Sequence, residues 1–132
     1  MTKERRNILI VDDDEDLLVV IGQAVKNLSS LDVHDNIFLV SDGDEAAKVC
    51  SRVKIHALLT DIKMPNKTGD ELINDLRHKE GKDFPIFVMT SFSTEKLVED
   101  LEKINAVKVY KKPIDIETLL KELSDYLDKM YS

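Results

Sequence analysis

Five short apolar runs divide the chain, and stretches with helical spacing of apolar residues follow each of them. The first run is continuous and rich in β-branched residues, which is typical of a strand covered on both faces of a parallel sheet, and the run Ile55 to Leu59 also predicts a buried strand. The fifth run alternates, which favours an edge position. The predicted strands are Asn7–Val11, Asn36–Val40, Ile55–Thr60, Phe84–Thr90 and Val107–Tyr110.

An amphipathic helix is predicted after every strand. Asp14 is suited to cap the first helix, because acidic side chains favour the positive end of the helix dipole. The predicted inward residues are Leu17, Ile21, Ala24, Val25 and Leu28; Ala46, Ala47 and Cys50 within 44–52; Leu72, Ile73 and Leu76 within 68–78; Leu97, Leu101 and Ile104; and Ile116, Leu119, Leu120, Leu123, Leu127 and Met130. Strand–helix pairs with short connections predict an α/β fold with helices on both faces of the sheet.

Composition and charge narrow the class of protein. A chain of 132 residues without a linker, repeat or low-complexity stretch predicts a single domain over residues 1–132. The net charge of -7 argues against nucleic-acid binding by this domain, and an anionic substrate would need local cations. Cys50 is the sole cysteine, and we expect it to be a small core residue. No apolar run suggests a membrane span or a secretory signal, so we expect a cytoplasmic protein.

Polar side chains stand at the carboxyl ends of four predicted strands. In open parallel sheets, ligand sites form beyond these ends, so we expect the side chains to converge. The residues are Asp12 and Asp13 after the first strand, Asp61 after the third, Thr90 and Ser91 at the end of the fourth, and Lys112 after the fifth. Taken singly, each has a structural interpretation as a helix-start acid, a turn acid, a strand threonine or a solvated lysine. Their combination on neighbouring strand ends favours a functional site.

The residue types at these strand ends suit phosphoryl chemistry. Three nearby carboxylates repel one another, and a divalent cation with oxygen ligands, above all Mg²⁺, would relieve that repulsion. Lys112 offers a compact positive charge and Thr90 a hydroxyl donor for a phosphoryl oxygen. Asp61 has a strand end and a loop to itself, which makes it the best candidate nucleophile for an aspartyl phosphate. The histidines His34, His56 and His78 lack ligand spacing, and we expect structural or surface roles for them.

With these residues in view, the chain resembles a bacterial response-regulator receiver domain of the CheY-like phosphoacceptor family. The resemblance extends over Asn7 to Met130 and depends on these motifs: Val11-Asp12-Asp13, Asp61-Ile62-Lys63-Met64-Pro65 with Gly69, Thr90-Ser91, and Lys112-Pro113. It implies a flavodoxin-like three-layer sandwich, doubly wound around a five-stranded parallel sheet of order 2-1-3-4-5.

The resemblance implies a role for each site residue. Asp61 would be phosphorylated by a histidine kinase. Mg²⁺ would be bound directly by Asp13, Asp61 and the Lys63 carbonyl, with Asp12 acting through water. The phosphoryl group would be met by the Lys112 ammonium, the Thr90 hydroxyl and the Ser91 backbone N–H. A cis peptide is expected at Lys112-Pro113.

The resemblance also implies function and partners. The protein would be a two-component phosphorelay receiver that promotes its own phosphorylation and dephosphorylation and is not otherwise an enzyme. Its partners would be a sensor histidine kinase or phosphotransfer protein and a downstream protein at the face formed by the fourth helix, fifth strand and fifth helix. Both a stand-alone receiver and part of a larger regulator are compatible with the sequence.

Two alternatives belong to other classes. One is a receiver-like binding module that is never phosphorylated, against which the complete set of acids, threonine and lysine argues. The other is a Mg²⁺-dependent phosphohydrolase, which would place a second acid two residues after Asp61, where this chain has Lys63.

One position departs from the family pattern. Receivers commonly carry an aromatic residue three positions before the lysine, and this chain has Val109 there, followed by Tyr110. Adjacent strand residues face opposite sides, so Tyr110 is not a simple replacement. We therefore expect activation to work through Thr90 and the following loop. Phe92, which flanks the phosphoryl group in the family, suggests a hindered hydrolytic water and a long-lived phosphoryl group.

Overall fold

A computed structural model describes residues 6–27, 36–64, 66–79, 81, 83–91, 94–104, 106 and 108–131. The strands are β1 Asn7–Val11, β2 Asn36–Val40, β3 Ala57–Asp61, β4 Ile86–Thr90 and β5 Lys108–Lys111. The helices are α1 Glu15–Lys26, α2 Gly43–Arg52, α3 Gly69–Asn74, α4 Glu95–Lys103 and α5 Ile116–Tyr131, with a π-helical turn, Asp75–Lys79, after α3. Among the described helices, none is long and apolar enough to cross a membrane.

The strands form one parallel sheet in the order β2-β1-β3-β4-β5, which confirms the predicted fold. β1, β3 and β4 are interior strands and almost wholly buried, as their continuous apolar runs predict. β5 is an edge strand whose two end residues are exposed, while Val109 is partly buried and Tyr110 is buried. Parallel pairing aligns the strand directions, so all five carboxyl ends lie at the same edge of the sheet.

Two apolar clusters sandwich the sheet. One cluster packs α2, α3 and α4 against one face through Ala46, Cys50, Leu72, Ile73 and Leu101. The other packs α1 and α5 against the opposite face through residues that include Leu18, Ile21, Val25, Leu119, Leu123 and Leu127. Strand residues alternate between the two clusters, as the pleat requires. The three-layer arrangement is therefore built from both faces of the same central strands.

Tyr110 and Val109 illustrate this alternation at the edge of the sheet. Val109 packs against the cluster under α3 and α4, whereas Tyr110 is buried in the cluster under α1 and α5. This confirms that the two residues face opposite sides of β5, so Tyr110 does not take the place of Val109.

Several predicted boundaries differ from the structure. β3 begins at Ala57 and not at Ile55, because its pairing with β1 begins opposite Ile8. The third helix does not continue regularly to His78 but widens into the π-helical turn. Met130 was predicted to face inward, which is wrong: it is 46% exposed, beyond the last buried residue of α5, Leu127.

Smaller differences concern the first helix, the other strand ends and residues that the structure does not describe. Leu18 is buried and Leu17 lies at the edge of the core, so the inward stripe of α1 is shifted. β4 begins at Ile86, later than predicted, and β5 extends to Lys111, one residue beyond its predicted end. The predictions for Leu28, the loop 29–35, Pro65, Phe92, Asn105 and Val107 lie outside the described residues.

Candidate functional site

Three carboxylates meet where β1 and β3 end. β1 pairs with β3 as far as Val11 opposite Thr60, so Asp12 and Asp61 leave the sheet side by side. Oxygen atoms of Asp12, Asp13 and Asp61 all lie within 4.8 Å of one another. Asp12 and Asp61 are buried, whereas Asp13 is exposed, so the cluster opens to solvent on one side.

The start of α1 fixes the acids of the β1–α1 connection. An Asp12 side-chain oxygen accepts the backbone N–H of Asp14 at 2.8 Å. Asp14 caps α1 as predicted, accepting the backbone N–H groups of Asp16 and Leu17 at 3.1 Å each. The hydrogen bond from the Asp14 N–H orients the Asp12 side chain, while the Asp14 side chain serves as the cap of α1.

Lys112 lies against this cluster from the end of β5. Its ammonium donates to an Asp12 oxygen at 2.9 Å and to an Asp61 oxygen at 3.3 Å. Its backbone N–H donates to the Thr90 carbonyl at 2.7 Å, which joins the ends of β4 and β5. The Lys112-Pro113 peptide is cis, as expected. Burial alone would lower the pKa of Lys112, but the hydrogen bond to Asp12 and the charge of Asp61 outweigh it and raise the pKa.

The Asp61 carboxylate is held in an unfavourable charged state. Burial and the neighbouring Asp12 charge raise its pKa above 3.8, while Lys112 and the backbone N–H of Ile62 act in the opposite direction. The Ile62 N–H donates to one carboxylate oxygen at 2.8 Å, and Lys112 contacts the other oxygen. Both carboxylate oxygens therefore have a hydrogen-bond donor, yet the pKa of Asp61 stays raised. Further positive charge near the cluster would stabilise the ionised carboxylate.

The β3–α3 connection returns closely onto Asp61. The Gly69 N–H donates to the Ile62 carbonyl at 2.8 Å, and an ideal Cβ on Gly69 would lie 2.1 Å from the Asp61 carbonyl oxygen. Only glycine fits at this approach. Thr68 caps α3 in a capping box with Glu71. Lys63, expected from the sequence to offer its carbonyl to a metal, is an exposed residue of this connection.

Thr90 and Ser91 lie at the end of β4, next to the cluster. β4 pairs with β3 so that Met89 is opposite Asp61, and Thr90 is one residue further along. Thr90 is 2% exposed, while Ser91 is exposed. Like Lys112, both lie at the carboxyl end of a strand on the far side of β3 from Asp12. The structure thus brings Asp12, Asp13, Asp61 and Lys112 into direct proximity and sets Thr90 and Ser91 on the adjoining strand end.

The sequence did not predict a polar contact between β5 and α5, close in the chain to Lys112. The Tyr110 hydroxyl donates to Glu122 of α5 at 2.6 Å, and the other Glu122 oxygen accepts from Lys108 at 2.5 Å. The Lys108 side chain is 47% exposed, so this ion pair lies at the surface. Sequence alone offered only a weak signal, an aromatic residue between lysines on an edge strand, because the partner on α5 is fixed by tertiary packing.

Comparison with known proteins agrees with this geometry. Residues 8–124 match the family described as the response regulator receiver domain. The chain is 30% identical over 129 residues to the transcriptional regulatory protein MalR of Bacillus subtilis, covering 96% of this chain and 53% of MalR. It is 22% identical over 120 residues to the sporulation initiation phosphotransferase F of the same organism, covering 91% of this chain and 92% of that protein.

A solved structure shares the fold. The chemotaxis protein CheY4 of Vibrio cholerae superposes with a TM-score of 0.81 at 23% identity, covering 94% of this chain and all of CheY4 (100%). The chain spans about half the length of other curated relatives that it matches, 46% of one and 54% of another.

Proposed function

Because the chain belongs to the response regulator receiver domain family, which serves two-component phosphorelay signalling, we propose that Asp61 is its phosphoryl acceptor. The observation that supports this most is the position of Asp61, buried at the end of β3 within 3.3 Å of the Lys112 ammonium. An Asp61 oxygen attacks the phosphorus of a phosphohistidine on a kinase or phosphotransfer protein. The new O–P bond forms as the P–N bond breaks, and the histidine leaves.

The donor set fits Mg²⁺. Three carboxylates with oxygens within 4.8 Å, one of them exposed, match the oxygen ligands and retained waters that this ion prefers. Asp13, Asp61 and the Lys63 carbonyl would hold the ion, with Asp12 acting through water. The ion would supply positive charge to the phosphoryl oxygens. The raised pKa of Asp61 supports this assignment, because the positive charge of a bound cation would stabilise the ionised forms of Asp61 and its neighbour Asp12.

The other strand ends complete the site. Lys112 exchanges its contact with Asp61 for a phosphoryl oxygen, keeping Asp12 as a partner. The Thr90 hydroxyl and the Ser91 backbone N–H donate to the remaining oxygens from the end of β4. These groups bind and orient the phosphoryl group, and the chain promotes its own phosphorylation and dephosphorylation without acting on a separate substrate.

The partners follow from the same site. A sensor histidine kinase or phosphotransfer protein loads Asp61, and a downstream protein binds the face built from α4, β5 and α5. The net charge of -7 disfavours nucleic acid as the direct partner of this domain. We assign residues 1–132 to a single receiver domain acting in the cytoplasm.

Mass spectrometry tests the acceptor directly. Wild-type protein is incubated with Mg²⁺ and a small phosphodonor such as acetyl phosphate, beside Asp61→Asn and Asp125→Asn. Asp125 is an exposed residue of α5, so Asp125→Asn controls for the loss of a carboxylate. We expect one phosphoryl adduct on wild type and Asp125→Asn and none on Asp61→Asn. A wild-type protein that takes up no phosphoryl group would favour the binding-module alternative instead.

A further inference from the structure

Three side chains join β5, the strand that leads into Lys112, to α5. The Tyr110 hydroxyl and the Lys108 ammonium occupy the two oxygens of Glu122, at 2.6 Å and 2.5 Å. The Lys108 nitrogen also lies 5.3 Å from the centroid of the Tyr110 ring. We call Lys108, Tyr110 and Glu122 the Tyr110 clamp. The clamp adds polar contacts to the apolar packing of Tyr110 against α5, across the connection that contains the cis peptide.

The strongest contact in the clamp is the hydrogen bond from the phenol. Tyr110 is 8% exposed, and a hydrogen bond to a carboxylate in such surroundings is stronger than one between neutral groups. The ion pair is weaker, because the Lys108 and Glu122 side chains are 47% and 31% exposed and water screens them. Removing the hydroxyl should therefore matter more than removing the ammonium.

An aromatic contact extends the clamp into the core. The Tyr110 ring stacks on Phe87 of β4 with centroids 6.4 Å apart, and Phe87 meets Tyr126 of α5 edge-on at 5.8 Å. Phe87 itself is fully buried. Tyr110 is thus held on two sides, by β4 through its ring and by α5 through its hydroxyl, and β5 has little freedom to move while both contacts persist.

The clamp is closed in the same structure in which Lys112 contacts both Asp12 and Asp61. Tyr110 precedes Lys112 by two residues, and it pairs with Met89 while Lys111 pairs with Thr90. A phosphoryl group on Asp61 must enter between Asp61 and Lys112, now 3.3 Å apart. The Lys112 ammonium therefore has to move, and Lys112 directly follows the last residue of β5, Lys111, with a side chain only 17% exposed.

We propose that the Tyr110 clamp stabilises the resting arrangement of β5 and α5, so that opening the clamp favours loading of Asp61 and alters the α5 surface. The inference depends on the proposed function, because it concerns the regulation of that same site. Tyr110, Glu122 and Lys108 are positioning residues in this scheme and do not touch the phosphoryl group. Clamp opening and binding of a phosphoryl group at Asp61 are then coupled in both directions. A variant without the clamp should therefore bind a phosphoryl mimic more tightly.

The test measures the affinity of BeF₃⁻, a phosphoryl mimic, by calorimetric titration in saturating Mg²⁺. We expect Tyr110→Phe to bind about fivefold more tightly than wild type, a coupling at the lower end of the usual range. Lys108→Met should show a smaller gain in the same direction. Tyr126→Phe is the matched control, since it removes a phenol hydroxyl from the same aromatic group without touching the clamp, and its affinity should equal that of wild type.

Hydrogen exchange provides a second measurement. In wild type, BeF₃⁻ should speed the exchange of α5 amides near Glu122, and in Tyr110→Phe these amides should exchange faster already without the mimic. If Tyr110→Phe fails to fold by circular dichroism, Glu122→Gln, which keeps an acceptor for the phenol but weakens both contacts, replaces it in both measurements.

The outcomes separate the two proposals. Loss of BeF₃⁻ binding by wild type, or equal binding by Asp61→Asn, would overturn the proposed function itself. Normal wild-type binding with unchanged or weaker binding by the clamp variants would overturn the clamp and leave the acceptor assignment standing.

Discussion

The ionised form of Asp61, which the proposed chemistry needs, is disfavoured by the fold. Its carboxylate is buried beside Asp12, and burial and that neighbouring charge raise its pKa above 3.8. The folded state therefore holds the proton more tightly than the unfolded chain. In this respect the group favours folding below pH 3.8, and that contribution is lost as the pH rises through the raised folded pKa. At neutral pH without divalent cations, the ionised Asp61 destabilises the fold.

The first prediction concerns Asp61→Asn in EDTA at neutral pH. We expect its free energy of unfolding to exceed that of wild type by about 1 kcal/mol, because an amide carries no charge into the acidic cluster. The gain should shrink as the pH falls through the raised folded pKa toward 3.8, because wild-type Asp61 becomes protonated in the folded state. Added Mg²⁺ should stabilise wild type more than the variant, since binding to the folded state alone adds stability.

Urea titrations across this pH range, with EDTA or Mg²⁺, provide the measurement for Asp61→Asn. Asp125→Asn is the control, and as an exposed substitution it should change stability by less than about 0.5 kcal/mol. A variant that is less stable than wild type in EDTA would contradict the electrostatic account of the cluster.

Residue identity was enough to predict most of the cluster. The sequence shows acids at the ends of β1 and β3 and a lysine after β5. In a parallel sheet the carboxyl ends of the strands lie at the same edge, which brings these residues close together. The sequence did not indicate that Ile62 would donate its backbone N–H to Asp61, nor that Tyr110 would bond to Glu122. Such contacts depend on the local turn of the chain and on how α5 lies on the sheet, which side-chain patterns do not specify.

At the level of elements, the connection from β3 to α3 is where the backbone most constrains the site. Gly69 begins α3, and the Asp61 carbonyl oxygen lies so close to it that a Cβ added to Gly69 would clash at 2.1 Å. Backbone atoms on β3 form the other side of this contact, so the clash cannot be relieved by a rotamer change. The start of α3 and Asp61 are consequently fixed to each other.

The second prediction contrasts two glycine-to-alanine changes. Gly69→Ala should lower the free energy of unfolding by about 1 to 3 kcal/mol, as overpacking does, and weaken Mg²⁺ binding by displacing the Lys63 and Asp61 backbone. Gly22→Ala in α1 is the control. Its Cβ would meet Leu39 side-chain atoms at 3.0 Å, and Leu39 is 43% exposed and able to move aside. Higher helix propensity should then stabilise Gly22→Ala by about 0.5 to 1 kcal/mol.

Thermal unfolding and calorimetric Mg²⁺ titration measure both glycine variants. Equal effects of Gly69→Ala and Gly22→Ala would mean that the connection after β3 yields more easily than its backbone contacts imply.

The helices were less predictable than the strands, and α3 shows why. Leu72, Ile73 and Leu76 are all fully buried, as the apolar spacing predicts, yet the chain widens into a π-helical turn from Asp75. In this turn Arg77 donates to the Ile104 carbonyl at the end of α4 at 3.2 Å, and its guanidinium lies 5.9 Å from the Phe84 ring centroid. Leu72, Ile73 and Leu76 span too short a stretch for their spacing to reveal a single π-helical turn, which is a rare feature.

For the molecule as a whole, the central strands belong to both cores. On β4, Val88 packs into the cluster of α2, α3 and α4, whereas Phe87 and Met89 pack into the cluster of α1 and α5. Both layers of helices pack against the same sheet. Loss of either cluster exposes the strands that support the other, and the site at their carboxyl ends depends on both.

The third prediction follows from this shared sheet. Ile73→Ala and Leu123→Ala remove fully buried side chains from opposite clusters, and each should cost about 2 to 5 kcal/mol. Because the faces cannot unfold separately, each variant should keep one urea transition with an unchanged slope, seen alike by circular dichroism and tyrosine fluorescence. Val20→Ala, at a position 51% exposed on α1, is the control and should change the midpoint little. Two separate transitions in either core variant would show that the helical layers are independent units and that the site can lose one face while retaining the other.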